Sequence, residues 1–281
     1  MKFIKNNIPN FTQIEKNGLY IPELEHDSCG VGVVANIKGN ISHEIINQGV
    51  TVLKNLSHRG AAGADPKTGD GAGMLTQIPH KFFNKITQKI NISLPNQGEY
   101  GVGMFFLPNN DTQNNLCKEV IENTFIEKKF KILGWRNVEI DEKSIGITAK
   151  SLMPNIEQIF ISKEKKYNDM ERDLYIVRKS IEKKINYLKD TNNIKDLDKY
   201  FYACSLSSKT IVYKGMLMAE QLGSFFPDLI DPDYMSAFSL VHSRFSTNTL
   251  GSWKFAHPYR FLAHNGEINT VRGNRNWMQS R

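Results

Sequence analysis

The feature that most limits how this chain folds is a series of short β-rich runs that rarely alternate with helices in a regular way. The runs are "VGVVANI" (Val31 to Ile37), "MLTQI", "YGVGMFFL", "KILGWRNVEI", "EQIFIS", "FYACSLS" and "KTIVYKG". A doubly wound parallel sheet needs strand, helix, strand in repetition. Here the runs are mostly antiparallel candidates rather than regular βαβ units, so the pattern favours antiparallel sheets covered by helices. "FYACSLS" and "KTIVYKG" read as a hairpin turning at Ser207 and Ser208. Helical spacing places helices at Ile45 to Leu56, Thr112 to Lys129, Asn168 to Leu188 and Met216 to Phe225, with another opening in "NTVRGNRNWMQSR".

Residues 1 to 28 contain Pro9, Gly18 and Pro22 without periodicity and read as an irregular leader. With 281 residues, 40% of them hydrophobic, the rest suffices for a sizeable core. No window approaches the roughly 20 apolar residues of a membrane span, and the first residues lack the apolar stretch of a secretory signal. Three cysteines, Cys29, Cys117 and Cys204, are too few and too scattered for a disulfide framework. The formal charge of +7 raises a nucleic-acid reading. The densest charge run, "SKEKKYNDMERDLYIVRKSIEKK", mixes both signs at helical spacing, the pattern of a solvated helix face, and so argues against it.

Three sites can carry chemistry. "RGAAGADPKTGDGAG" is glycine-dense, but it is neither GxGxxG nor a phosphate loop ending in GK[ST], so it reads as a loop needing several positive φ angles. From His242 to Arg281 there are six Arg or Lys residues against one acid, Glu267. A guanidinium such as Arg244 binds a carboxylate through two parallel hydrogen bonds, and the Asn265 amide with the Gly266 N–H in "HNG" builds an oxyanion hole. Taken singly, "HNG" is also a tight turn and Arg244 a surface ion-pair partner. Cys29, standing between the leader and the first strand, is either a small buried hydrophobe or a nucleophile. If the Ser28–Cys29 bond is cut, the new α-amine titrates near pH 8 and serves as the thiol's base.

"HDSCGVG", "LSHRGAAGADPKTGDGAGM", "HSRFSTNT", "AHNGEINT" and "GNRNWM" together resemble the glutaminase domain of glutamate synthases, class II glutamine amidotransferases of the N-terminal-nucleophile hydrolase superfamily. The resemblance implies a four-layer αββα sandwich of two antiparallel sheets. It divides the chain into a leader, residues 1–28, removed on maturation, and an amidotransferase domain, residues 29–281, truncated at its C-terminal end. It implies Cys29 as nucleophile, Asn265 and the Gly266 N–H as oxyanion hole, Arg244 on the glutamine α-carboxylate, and Arg59 in a supporting role beside the nucleophile. An aspartate for the substrate's α-amino group is expected after "HNGE", yet no acid follows Glu267.

The implied reaction hydrolyses glutamine through a Cys29 thioester and passes ammonia on for glutamate synthesis from 2-oxoglutarate. No cofactor is expected in this segment; FMN and a 3Fe-4S cluster are implied for the full-length enzyme, with ferredoxin or a nicotinamide-oxidising subunit as electron source. Another class II amidotransferase and a non-catalytic binding module are the competing readings. The Lys, Asn and Ile bias suits an A/T-rich genome, a plastid or a bacterium, so the stroma or a bacterial cytoplasm is expected, with ferredoxin slightly favoured. Neither nucleic acid nor membrane is an expected partner.

Overall fold

Among the described residues, eight strands form two sheets of four, and every neighbouring pair is antiparallel. The computed structural model describes residues 30–57, 60, 62, 65–163, 170–192, 194, 197–243, 251–259 and 271–280. Contacts divide the chain into Gly30–Leu262 and a second unit of Met1–Cys29 with Ala263–Arg281. In the second unit the described element is a helix, Val271–Ser280.

The strands of the larger unit are β1 (Val31–Ala35), β2 (Ala72–Gln77), β3 (Tyr100–Leu107), β4 (Phe130–Asn137), β5 (Asn155–Lys163), β6 (Tyr202–Ser207), β7 (Thr210–Gly215) and β8 (Phe238–Ser243). The first sheet runs β1-β8-β2-β7 and the second β4-β5-β3-β6. Its longer helices are α1 (His43–Asn55), α2 (His80–Gln88), α3 (Asp111–Glu127) and α4 (Met170–Asn192). Among the described residues no helix is long and apolar enough to cross a membrane.

Period-two alternation builds the layers. All eight residues of β3 are buried. Val102, Met104 and Phe106 enter the core shared with β2, β7, α1 and α2, whereas Phe105 and Leu107 enter a second core beneath α3 and α4. The two covering helices meet that second core through stripes at helical spacing: Cys117, Ile121 and Phe125 on α3, and Leu174, Val177, Ile181 and Ile185 on α4. The architecture is thus an α+β sandwich of two antiparallel sheets with helices, as the sequence leads one to expect.

One buried polar network ties the sheets together. Arg136 of β4 donates two hydrogen bonds of 2.7 Å to Asp228 and one of 2.8 Å to Gln158 of β5. The Tyr213 hydroxyl of β7 donates to Asp228 at 2.7 Å and accepts from Gln158 at 2.9 Å.

Two sequence expectations change. "FYACSLS" and "KTIVYKG" are strands, but they pair in different sheets, each at an edge. The chain crosses between sheets at Ser207–Lys209 because Glu171 of α4 accepts from the Ser207 hydroxyl and from both the N–H and hydroxyl of Ser208. The side-chain period of a strand carries no information about its neighbour. The helix expected at Met216 to Phe225 shrinks to a 3₁₀ turn, Ala219–Gln221, and one α turn, Leu222–Phe225. Gln221 there donates to the carbonyls of Lys67 and Ser144, both at 2.8 Å, so tertiary contacts set its backbone.

Candidate functional site

Strand β1 lies along β8 with Val31 opposite His242. One step beyond, the Ser243 N–H donates to the Gly30 carbonyl at 2.7 Å. This approach demands glycine: a Cβ on Gly30 would lie 2.2 Å from the Ser243 carbonyl oxygen. Cys29 precedes Gly30 by one peptide bond, and Arg244 follows Ser243 by one. The antiparallel ladder therefore brings together the two strand ends that lead into the expected nucleophile and the expected carboxylate binder.

Ala72, at the start of β2, lies opposite both Ser243 and Gly215 of β7, so four strand ends align at this edge. Beside them is a cleft of about 410 Å³ lined by Gly60, Asp70, Gly71, Leu217, Glu220 and Ser243, among others. Ser243 is 1% exposed, and its hydroxyl has no hydrogen-bond partner among the described residues.

The glycine-dense loop forms one wall. Asp65 accepts from the Thr148 N–H at 3.1 Å, the Thr68 hydroxyl at 2.9 Å and the Lys67 N–H at 3.1 Å. The Thr148 N–H, then the Thr68 hydroxyl, hold its carboxyl below the usual carboxylate range. The expected series of positive φ angles is not what the described glycines show. Gly71 alone among them in this loop has positive φ, 153°, whereas Gly69 is needed because Leu217 backbone atoms would lie 2.2 Å from a Cβ. The loop is held by close approach and an aspartate clamp.

A buried cluster that the sequence does not announce packs beside β8. The rings of His242 and His257 are 4.5 Å apart, and Tyr259 lies 4.3 Å from His257. The ammonium of Lys214, on β7, donates to the Lys254 carbonyl at 2.8 Å and sits 4.3 Å and 4.7 Å from the Tyr202 and Tyr259 ring centres. Burial depresses Lys214 to about 8, and burial followed by the Lys214 charge depresses His257 to about 4. Nothing in "VYKG" distinguishes this lysine from a surface one.

Cys117 and Cys204 are buried, and desolvation pushes both thiols up to about 12, so neither is a nucleophile at neutral pH. Cys29, Arg59, Arg244, Asn265 and Gly266 lie outside the described residues.

Comparison with known proteins places these features in context. Residues 29–281 match the family described as class-II glutamine amidotransferases. The chain is 47% identical over 277 residues to the NADPH glutamate synthase large chain of Bacillus subtilis, covering 96% of this chain and 17% of that protein. It is 42% identical over 276 residues to ferredoxin-dependent glutamate synthase 2, chloroplastic, of Arabidopsis thaliana, covering 97% and 16%. With the NADPH glutamate synthase large chain of Azospirillum brasilense it shares 42% over 283 residues, 99% of this chain and 18% of the other. The chain thus spans about a sixth of the length of these curated relatives.

Proposed function

Because the chain belongs to the class II glutamine amidotransferases, we propose that it is the glutaminase part of a glutamate synthase, freeing ammonia from glutamine for glutamate synthesis from 2-oxoglutarate. The observation that carries the reading is the Gly30–Ser243 pair, which joins the end of β1 and the end of β8 that are next in sequence to Cys29 and Arg244.

In this reading the leader, residues 1–28, is removed, and the Cys29 α-amine takes the thiol proton. The start of the family match at residue 29 supports this. The thiolate attacks the side-chain amide carbon of glutamine, and the resulting oxyanion is held by Asn265 and the Gly266 N–H. Collapse breaks the carbon–nitrogen bond, and the departing nitrogen takes the proton from the α-amine and leaves as ammonia. Water then hydrolyses the thioester to glutamate and restores the thiol. Arg244 holds the α-carboxylate, and Arg59 supports the nucleophile from the glycine-dense loop.

The FMN and 3Fe-4S cluster of the whole enzyme belong, in this reading, to the rest of the protein. Relatives of both NADPH- and ferredoxin-dependent type match. The composition suits a plastid or a bacterium alike; the ferredoxin-using plastid enzyme is the slightly favoured reading, and a reductive assay with each donor decides it.

A glutamine analogue with an electrophilic ketone at its side-chain end tests the assignment. One label per chain on Cys29, with glutamine hydrolysis abolished and ammonia-dependent synthesis retained, is the expected result. Labelling at Cys117 or Cys204, or hydrolysis surviving Cys29→Ala, overturns it.

A further inference from the structure

A second cleft, of about 390 Å³, shares no lining residue with the first. It opens where β6, the edge strand of the second sheet, begins beneath α4. One wall is a single helical face, with Arg178, Lys179, Glu182 and Asn186 at successive-turn spacing; the other is Phe201 and Tyr202, joined by Lys254 and Phe255.

The lining carries three positive charges, from Arg178, Lys179 and Lys254, and one negative, from Glu182, leaving a charge of +2. Glu182 does not neutralise this surface but orders it, since one of its oxygens accepts from Arg178 and the other from Lys179 at 2.9 Å. The Arg178 side chain is only 16% exposed, and its buried Nε–H has no acceptor among the described residues. A buried donor without an acceptor is unfavourable, and an oxygen anion entering beside it relieves that penalty after a small rotation of the side chain.

The remaining surface is aromatic. The Phe255 ring is 42% exposed, Tyr202 is half-buried, and the Lys254 ammonium lies 4.8 Å from the Phe255 ring centre. An exposed ring beside ordered cations receives a flat aromatic group by stacking and its charged substituent on the cations, with the half-buried Tyr202 bounding the site. A phosphate monoester carries a charge of about −1.5 to −2 at pH 7, which matches the lining.

We propose that this cleft binds a small phosphate monoester bearing a flat aromatic ring, of nucleoside-monophosphate type, with the phosphate on Arg178, Lys179 and Lys254 and the ring against Phe255 and Tyr202.

Isothermal titration of the full chain with adenosine 5′-monophosphate, adenosine and inorganic phosphate, in buffer of low ionic strength, tests this. The expected result is saturable binding of the monophosphate at least about tenfold tighter than either part alone, because ring and anion are held together. Lys179→Gln and Lys254→Gln should each weaken it several-fold, and Phe255→Leu, which keeps bulk but removes the ring, about tenfold. Lys38→Gln, on the exposed turn after β1, should change nothing. Absence of saturable binding, equal binding of adenosine, or equal weakening by Lys38→Gln overturns the proposal; circular dichroism of each variant verifies that it is folded.

Discussion

Replacing Gly30 by alanine tests the geometry on which the candidate site rests. The added Cβ would sit 2.2 Å from the Ser243 carbonyl oxygen, whereas ordinary contact begins at 3.4 Å, so β1 must retreat from β8 by more than 1 Å. Backbone lies on both sides, so no flexible side chain can yield. The retreat takes the 2.7 Å bond from the Ser243 N–H to the Gly30 carbonyl out of range. Overpacking of this kind costs about 1–3 kcal/mol, and the lost hydrogen bond about 1 kcal/mol more. The sum, about 2–4 kcal/mol, lowers the thermal midpoint by roughly 5–15 °C for a chain of this size. With Cys29 as the proposed nucleophile, displacing its neighbour Gly30 by ~1 Å should cost about 100-fold in turnover. Thermal unfolding, and glutamine hydrolysis by the enzyme carrying this chain, measure the two effects. Gly223→Ala is the control: its nearest atom outside the helix is Ile230 Cγ2 at 3.7 Å, so it should be neutral or slightly stabilising. A Gly30→Ala protein with an unchanged midpoint and near-normal turnover refutes the argument.

Other consequences are independent of that edge. Asp228→Ala strands the Arg136 guanidinium, whose side chain is 9% exposed, without its carboxylate; denaturant unfolding should show a loss of about 3–5 kcal/mol, and a loss under 1 kcal/mol would contradict a stabilising tie between the sheets. His257 is held neutral, at about 4 against an ordinary 6.5, so the unfolded chain binds its proton first as pH falls. Stability from this group is complete above about pH 6.5 and declines toward pH 4, by about 3 kcal/mol in all. His257→Gln should flatten that part of the stability profile, and an unchanged slope would refute the assignment. Lys214 titrates at about 8 in the fold against 10.5 when exposed, so stability should rise from pH 8 to 10.5, and Lys214→Met should remove the rise.

Periodicity and motif order carried much of this protein, and they did so because both are local. The short, uninterrupted β-rich run "YGVGMFFL" reads as a buried strand from its own residues, and the apolar stripe through Leu174, Ile181 and Ile185 reads as a helix face from its spacing. The ordered motifs around Cys29, Arg59, Arg244 and Asn265 pointed to the family that the comparison then gave, since the chemistry of a site is written in residue type and order. Sheet membership was not legible. β6 and β7 are adjacent in sequence yet end in different sheets, because Glu171, more than thirty residues upstream, fixes the corner between them. The Arg136–Asp228 pair spans 92 positions, and the depressed Lys214 looks like any lysine until the fold removes its water. Local patterning selects the elements; partners, burial and the shifts they impose come from segments distant in sequence, where only the closed tertiary structure sets the distances and the dielectric.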